Sequence, residues 1–340
     1  MPKVLLTGGS GFIAAHVLEL LLKGGYEVVT TVRSETKASQ IRAKYPGAKL
    51  SVAIVPNIAV PNAFDELIAN TPGIDYVQHT ASPFHFKFTD ARTELLDPAI
   101  NGTKGILQAI AKYAPSVKRV IVTSSFAAIM SESKMSDTTK VFSEADWNPS
   151  TYEDGLKGPP PTSYRVSKKY AEKAAWDFVE QEKPGFDLAT VCPPMVFGPV
   201  AHHLDSLKDI NTSNQRFVDL IQGKWKEEIP TSGVWLWVDV RDVALAHIKA
   251  MVTPEAGGQR FFTTAGFYDN VQLARAVRKG FPELADKLPD DNVKLAPGAE
   301  TPAATFGYDN SRTSNVLGID WIPVEKAAVD TVKSLLEIPA

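Results

Sequence analysis

The chain has 340 residues, 44% of them hydrophobic and 22% charged, with a formal charge of −3. That size and balance describe one large or two ordinary globular domains and give no electrostatic reason to expect a nucleic-acid partner or an anionic membrane. The single cysteine, Cys192, excludes a disulfide framework within the chain, no apolar run reaches membrane-spanning length, and the N-terminal stretch is too broken by Gly8, Gly9, Gly11 and His16 for a signal peptide, so a cytoplasmic protein is expected.

"KVLLTG" (3–8) reads as a strand, and "FIAAHVLELLLKGG" (12–25) as a helix stopped by its two glycines. A second strand, "EVVTTV" (27–32), leads into a polar-faced helix over 34–45. The strand series continues at 49–55, 75–80, 118–125 and 186–191, with helical spacing over 62–70, about 91–113 and 163–183. Near-continuous apolar strands separated by helices predict an α/β fold with a doubly wound, Rossmann-type parallel sheet over residues 1–192. After 192 prolines and glycines multiply, and "GVWLWVDVRDVALAHIKAMV" (233–252) is apolar enough to suggest a return to the main sheet. The segments 193–232 and 253–340 are expected to form a smaller C-terminal substrate-binding region, with 289–305 as an exposed loop.

"TGGSGFIA" (7–14) lies where the first strand hands over to the first helix. It fits G-x-G-x-x-A through Gly9, Gly11 and Ala14, and G-x-x-G-x-x-A through Gly8, Gly11 and Ala14. Either reading supplies a permissive turn and bare backbone beside a helix start at Phe12 and Ile13, the combination that admits a pyrophosphate. A plain structural turn is the bland alternative, but the strand before it and the helix after it are the context a dinucleotide site requires. Enzymes that take NAD place an acid near the end of the second strand to bind the ribose hydroxyls. Here the residues are Thr30, Thr31, Val32, Arg33 and Ser34, with Lys37 one turn on. Two cations and no acid before Glu35 point to the 2′-phosphate of NADP, although Glu35 would repel it if turned inward.

Two stretches place a lysine four residues after a tyrosine. In "YPGAK" (45–49) proline and glycine interrupt any helix, so Tyr45 and Lys49 have no reason to share a face. "YRVSK" (164–168) sits among good helix formers with an apolar stripe through Val166, Tyr170, Ala174 and Phe178, so Tyr164 and Lys168 stand one turn apart. A cation beside the phenol is expected to draw its pKa down and fit it to pass a proton to a carbonyl oxygen. Alone, such a pair is usually a surface contact. The strand-end serines of "VTSSF" change the balance: Ser125 or Ser124 would face the ligand crevice and hydrogen-bond the same oxygen.

With those residues the chain resembles an extended short-chain dehydrogenase/reductase, and more narrowly the fungal NADPH-dependent carbonyl reductases of the methylglyoxal reductase group, relatives of plant dihydroflavonol reductases. The strings that carry the likeness include "TGGSGFIA", "HTASPF" (79–84), "PAINGTKGIL" (98–107), "YRVSKKYAEKAAW", "PPMVFGP" (193–199), "VDVRDVALAH" (238–247) and "LGIDW" (317–321). The resemblance implies Ser125, Tyr164 and Lys168 as the catalytic set, with Lys168 also holding cofactor ribose. It implies that Ala81, Ser82 and Pro83 line the cofactor trough, and that Pro193 and Val196 meet the nicotinamide through backbone groups. Phe84, Phe126, Met195 and Phe197 become candidates for a substrate wall, though each could be plain core. Asn57-Ile58 stands where the group usually has Asp-Ile facing adenine, and Cys192-Pro193 where it often has Asn-Pro.

The expected activity is NADPH-dependent reduction of an aldehyde or ketone. A nucleotide-sugar epimerase or dehydratase shares the fold and the Tyr/Lys pair but usually carries the acid missing here, and a non-catalytic NADP sensor commonly loses the tyrosine or lysine. No metal is expected: His202 and His203 are adjacent beside Asp205, without helical ligand spacing. The partner is a small-molecule carbonyl, and a monomer and a homodimer are equally compatible with the sequence.

Overall fold

The computed structural model describes residues 1–82, 88–302 and 304–339. Its centre is a seven-stranded parallel sheet. The first five strands in the chain that build it are β1 (Lys3–Thr7), β2 (Glu27–Val32), β3 (Leu50–Ile54), β4 (Ile74–His79) and β5 (Arg119–Thr123). Asp187–Val191 and Gln259–Phe261 complete it beyond β5, so the order across the sheet is Gln259–Phe261, Asp187–Val191, β5, β4, β1, β2, β3.

The strand sequences are apolar on both faces because both faces are covered. Val4 and Leu6 point to one side, where helix α1 (Phe12–Lys23) and helix Val240–Val252 pack, while Leu5 points to the other, against helices Asp97–Tyr113 and Pro160–Glu182. The chain runs outward from β1 to β3 and then returns to β4 on the opposite side of β1. The carboxyl ends of β1 and β4 therefore flank the reversal point, where sheets of this kind open a ligand crevice. Thr7 and His79 are the residues at those ends.

One expectation needs correction. Within 233–252, the strand Leu236–Asp239 leaves the central sheet and pairs with Met195–Phe197 and Gly266–Phe267 in a separate three-stranded sheet. Only the helix of that segment, Val240–Val252, returns to pack on α1, with Asp239 capping it by accepting the Arg241 N–H at 2.8 Å. The strand that does finish the central sheet, Gln-Arg-Phe, is three residues long and carries no apolar alternation to betray it. Around the small sheet, helices Gln215–Ile221, Asn270–Gly280 and Val324–Leu336 bury a second core centred on Phe197, Phe217, Trp237 and Tyr268.

Candidate active site

The turn after β1 is held by its own backbone: Gly11 N–H donates to the Gly8 carbonyl at 2.8 Å, and Gly9 N–H to the Thr31 carbonyl at 2.9 Å. Gly8 has φ +74°, where L side chains are strained, and a Cβ there would come within 3.2 Å of Ala81. A Cβ on Gly9 would lie 2.1 Å from Thr30 Oγ1. The two glycine spacings are thus not rivals: Gly8 and Gly11 shape the turn, and Gly9 lets it lie against β2. Among the described residues no side chain caps the start of α1, so the amides of its first turn, from Phe12 and Ile13 onward, are available to an anion. These features fit a bound pyrophosphate.

At the end of β2, Arg33 is exposed, and neither it nor Lys37 has an ion-pair partner among the described residues. Ser34 caps the helix α2 (Glu35–Lys44) by accepting the Lys37 N–H. Glu35 is turned along that helix, accepting from Arg42 at 2.5 Å and Ser39 at 3.2 Å, so it does not oppose a phosphate beside Arg33. Both cations suit a 2′-phosphate. Asn57 is exposed and folds its Oδ1 onto the Ala59 N–H at 2.9 Å, while Ile58 packs against Gly102, where a Cβ would meet it at 3.0 Å. Ala81 sits directly behind Gly8, and Ser82 follows it on the exposed side. Pro83 and Phe84 lie outside the described residues.

Tyr45 and Lys49 are separated as the sequence indicates. Tyr45 closes α2, Gly47 turns with φ +73°, and the Tyr45 hydroxyl donates to Glu19 at 3.2 Å. Tyr164 and Lys168 share one face of helix Pro160–Glu182, which brings them to the carboxyl end of β5. There the two serines diverge. Ser124 is buried and donates to Glu172 Oε2 at 2.5 Å. Ser125 accepts the Ala127 N–H at 3.1 Å and hydrogen-bonds the Tyr164 phenol. Lys168, 8% exposed, donates to the Thr123 carbonyl at 2.9 Å.

The expected fall in the Tyr164 pKa is not found. Burial pushes the phenol up, and the hydrogen bond with Ser125 only partly opposes this. The Lys168 amine is directed to the Thr123 carbonyl and is itself pushed down to about 8, chiefly by burial, with Glu172 pulling the other way. Tyr164 therefore keeps its proton at neutral pH, which suits a proton donor.

Pro193 offers its carbonyl to the Phe126 N–H at 2.8 Å and to the Ser125 hydroxyl at 3.4 Å, joining the small-sheet segment to the serine. Val196 is paired in the small sheet opposite Val238, and Met195 beside it is half-buried. Two wall candidates prove to be core. Phe126, 2% exposed, stacks on Phe262 at 5.1 Å between Phe142 and Phe306, and Phe197, fully buried, meets Tyr268 at 4.7 Å. Aromatic burial on both sides leaves neither ring a face to present.

Three features of the site escape a reading of motifs. His79 and Thr7, at adjacent strand ends, are hydrogen-bonded at 2.9 Å, and Thr7 Oγ1 also accepts the Ala81 N–H at 3.1 Å. Glu172, one helical turn beyond Lys168, is buried and takes hydrogen bonds from Arg260 at 2.7 and 3.2 Å, Thr190 at 2.8 Å and Trp176 at 3.2 Å. Arg260 lies 3.7 Å over the Trp147 ring. The spacing Tyr-x-x-x-Lys-x-x-x-Glu is a signal for Glu172, but nothing in the sequence points from it to Arg260.

A family model described as the NAD dependent epimerase/dehydratase family matches residues 4–263. A ketoreductase, azaE, from Aspergillus niger is 45% identical over 339 residues, covering 98% of each chain. The NADPH-dependent methylglyoxal reductase Gre2 of Saccharomyces cerevisiae is 37% identical over 343 residues, again covering 98% of each. The crystal structure of Gre2 from Candida albicans in complex with NADPH superposes with a TM-score of 0.91 at 35% identity, covering 99% of both chains.

Proposed function

The chain belongs to the NAD dependent epimerase/dehydratase family, and from that premise we propose that it is an NADPH-dependent reductase converting aldehydes or ketones to alcohols. The observation that carries the reading is the hydrogen bond between Ser125 and the protonated Tyr164 phenol, with Lys168 one turn away at the end of β5. Bound NADPH supplies the hydride. Tyr164 donates the proton to the carbonyl oxygen, and Ser125 holds that oxygen beside the phenol. Lys168 and the turn from Gly8 to Ile13 would hold the cofactor, with Arg33 and Lys37 on its 2′-phosphate, Asn57 and Ile58 near adenine, and Ala81 and Ser82 along the trough. The small sheet and its helices form the substrate side, where Met195 is the remaining described wall residue.

The test is consumption of NADPH and, separately, NADH with methylglyoxal, an aromatic aldehyde and a β-ketoester. Turnover that prefers NADPH is expected; firm NADPH binding without turnover on any carbonyl would sink the reading. Arg33→Ala is expected to weaken NADPH binding by about 10- to 100-fold, the worth of a charged hydrogen bond, and to leave NADH untouched. An equal loss for both cofactors would remove Arg33 from the phosphate.

The two serines predict opposite phenotypes. Ser125→Ala should lower kcat by about 10²–10³ with unchanged stability, since it acts on the reacting oxygen. Ser124→Ala should mainly destabilise, by roughly 1.5–3 kcal/mol, because it removes a donor from a buried carboxylate. Reversed phenotypes, read by steady-state kinetics and urea denaturation, would exchange the two roles.

A further inference from the structure

His79 is 2% exposed and its Nε2 has no hydrogen-bond partner among the described residues. An orphaned nitrogen this deep calls for a partner that is not a protein group. The assignment of its proton follows from Thr7. The buried Thr7 hydroxyl accepts the Ala81 N–H, so its own hydrogen has one acceptor in reach, His79 Nδ1. Nε2 therefore carries the ring proton. A small cavity lies against it, lined by His79, Ser82, Thr103, Thr123, Lys168 and Glu172.

The other polar groups of that cavity are unequal. Both Glu172 oxygens are occupied by Arg260, Ser124, Thr190 and Trp176. Thr103 has given its hydrogen to the Ala99 carbonyl at 2.9 Å and can only accept. Among the described residues Lys168 has one acceptor, the Thr123 carbonyl, for three N–H groups. Two donors, Nε2–H and Nζ–H, thus face one cavity whose lining offers hydroxyl oxygens as acceptors, that of Thr103 among them. A water resolves this, accepting from both and donating to Thr103.

We propose that His79 is a positioning residue for Lys168, the two side chains holding one water molecule between them so that the lysine keeps its third N–H for the cofactor and Tyr164. This deepens the reductase reading above and rests on it. His79 stays neutral, so it adds a dipole and no charge: burial, with Lys168 adding to it, presses its pKa down to about 3. The titratable or charged groups around Lys168 are Tyr164 and Glu172 on its own helix, His79 on β4, Cys192 after the strand Asp187–Val191, and Arg260 through Glu172. Of these, His79 and the neutral thiol of Cys192 are replaceable without removing a charge or the proton donor, and His79 is the one whose ring nitrogen lacks a partner among the described residues.

The test has a kinetic arm and a spectroscopic one. In His79→Phe the water loses one of its anchors and the ammonium one of its acceptors. Activity that requires the ammonium is lost above the lysine pKa, so lowering that pKa moves the alkaline limb of the kcat profile down, by about one pH unit, or about tenfold in rate on that limb. His79→Gln, which keeps an N–H near the same place, should restore most of the profile, and NADPH affinity should stay close to that of the unsubstituted protein in both variants. Side-chain ¹⁵N NMR of histidine-labelled protein, without any carbonyl substrate, should show His79 as the Nε2–H tautomer and a shift of that nitrogen in Lys168→Met. An Nδ1–H tautomer, or a His79→Phe profile identical to that of the unsubstituted protein, would overturn the proposal. Absence of turnover by the unsubstituted protein would overturn the reductase reading instead, and the NMR result would then decide the His79 assignment alone.

Discussion

Tyr164→Phe lowers kcat by about 10²–10⁴, the usual worth of a positioned proton donor, while folding stability and NADPH affinity stay near their original values. The asymmetry follows from the geometry. The hydroxyl removed is hydrogen-bonded with Ser125, beyond the carboxyl end of β5, and the ring that remains keeps its place on helix Pro160–Glu182. Because burial holds the phenol protonated, the reduction rate should not fall as the pH is raised through neutrality, as it would for a donor with a depressed pKa. Tyr45→Phe is the control, since that hydroxyl serves only to tie α2 to Glu19, and it should leave kcat unchanged. A Tyr164→Phe protein retaining a tenth or more of its rate would show that the proton comes from elsewhere.

The contrast between the two tyrosines shows what can be read from a sequence. Proline and glycine between Tyr45 and Lys49 are local signals, and they suffice to break the helix. Likewise the glycine turn, the missing acid before Arg33 and the parallel sheet rest on spacing within one strand–turn–helix unit, and all were legible. What was hidden depends on contacts distant in sequence. Ser124 and Ser125 are adjacent and chemically alike; a carboxylate 48 residues away turns one of them inward. Phe126 and Phe197 look like pocket walls by position, but their neighbours Phe262 and Tyr268 arrive from strands and loops far along the chain. The downward pull expected on Tyr164 failed for the same reason: helical spacing places Lys168 near the phenol, yet the Thr123 carbonyl on β5 takes its ammonium, and burial sets the sign. The strand 236–239 was misplaced because an apolar run says that a segment is buried and not which sheet buries it.

Glu172→Ala should be the most destabilising single change near the site, by about 3–5 kcal/mol, the range for removing one partner of a buried ion pair. It would leave Arg260 buried, with the carbonyls of Glu144 at 2.5 Å and Asp146 at 2.7 Å and the Trp147 ring as its remaining partners, and it would strip Ser124 and Thr190 of an acceptor. Paired apolar replacements at Glu172 and Arg260 should cost less than the single change, because no uncompensated charge remains. The pH dependence distinguishes a working ion pair from mere packing. Burial pushes the Glu172 carboxyl up, but Arg260 and the hydrogen bonds from Arg260, Ser124 and Thr190 outweigh it and hold the group below its ordinary value. A depressed carboxyl contributes stability that is fully present above its unfolded pKa, about 4.3, and is lost as pH falls through the lower folded value. Urea midpoints measured from pH 7 down to pH 3 should therefore fall more steeply for the unsubstituted protein than for Glu172→Ala, with the two curves converging in acid. Parallel curves, or a loss below about 1 kcal/mol at neutral pH, would mean that the backbone carbonyls alone satisfy Arg260 and that the pair does not lock the strand Gln259–Phe261 to the helix bearing Lys168.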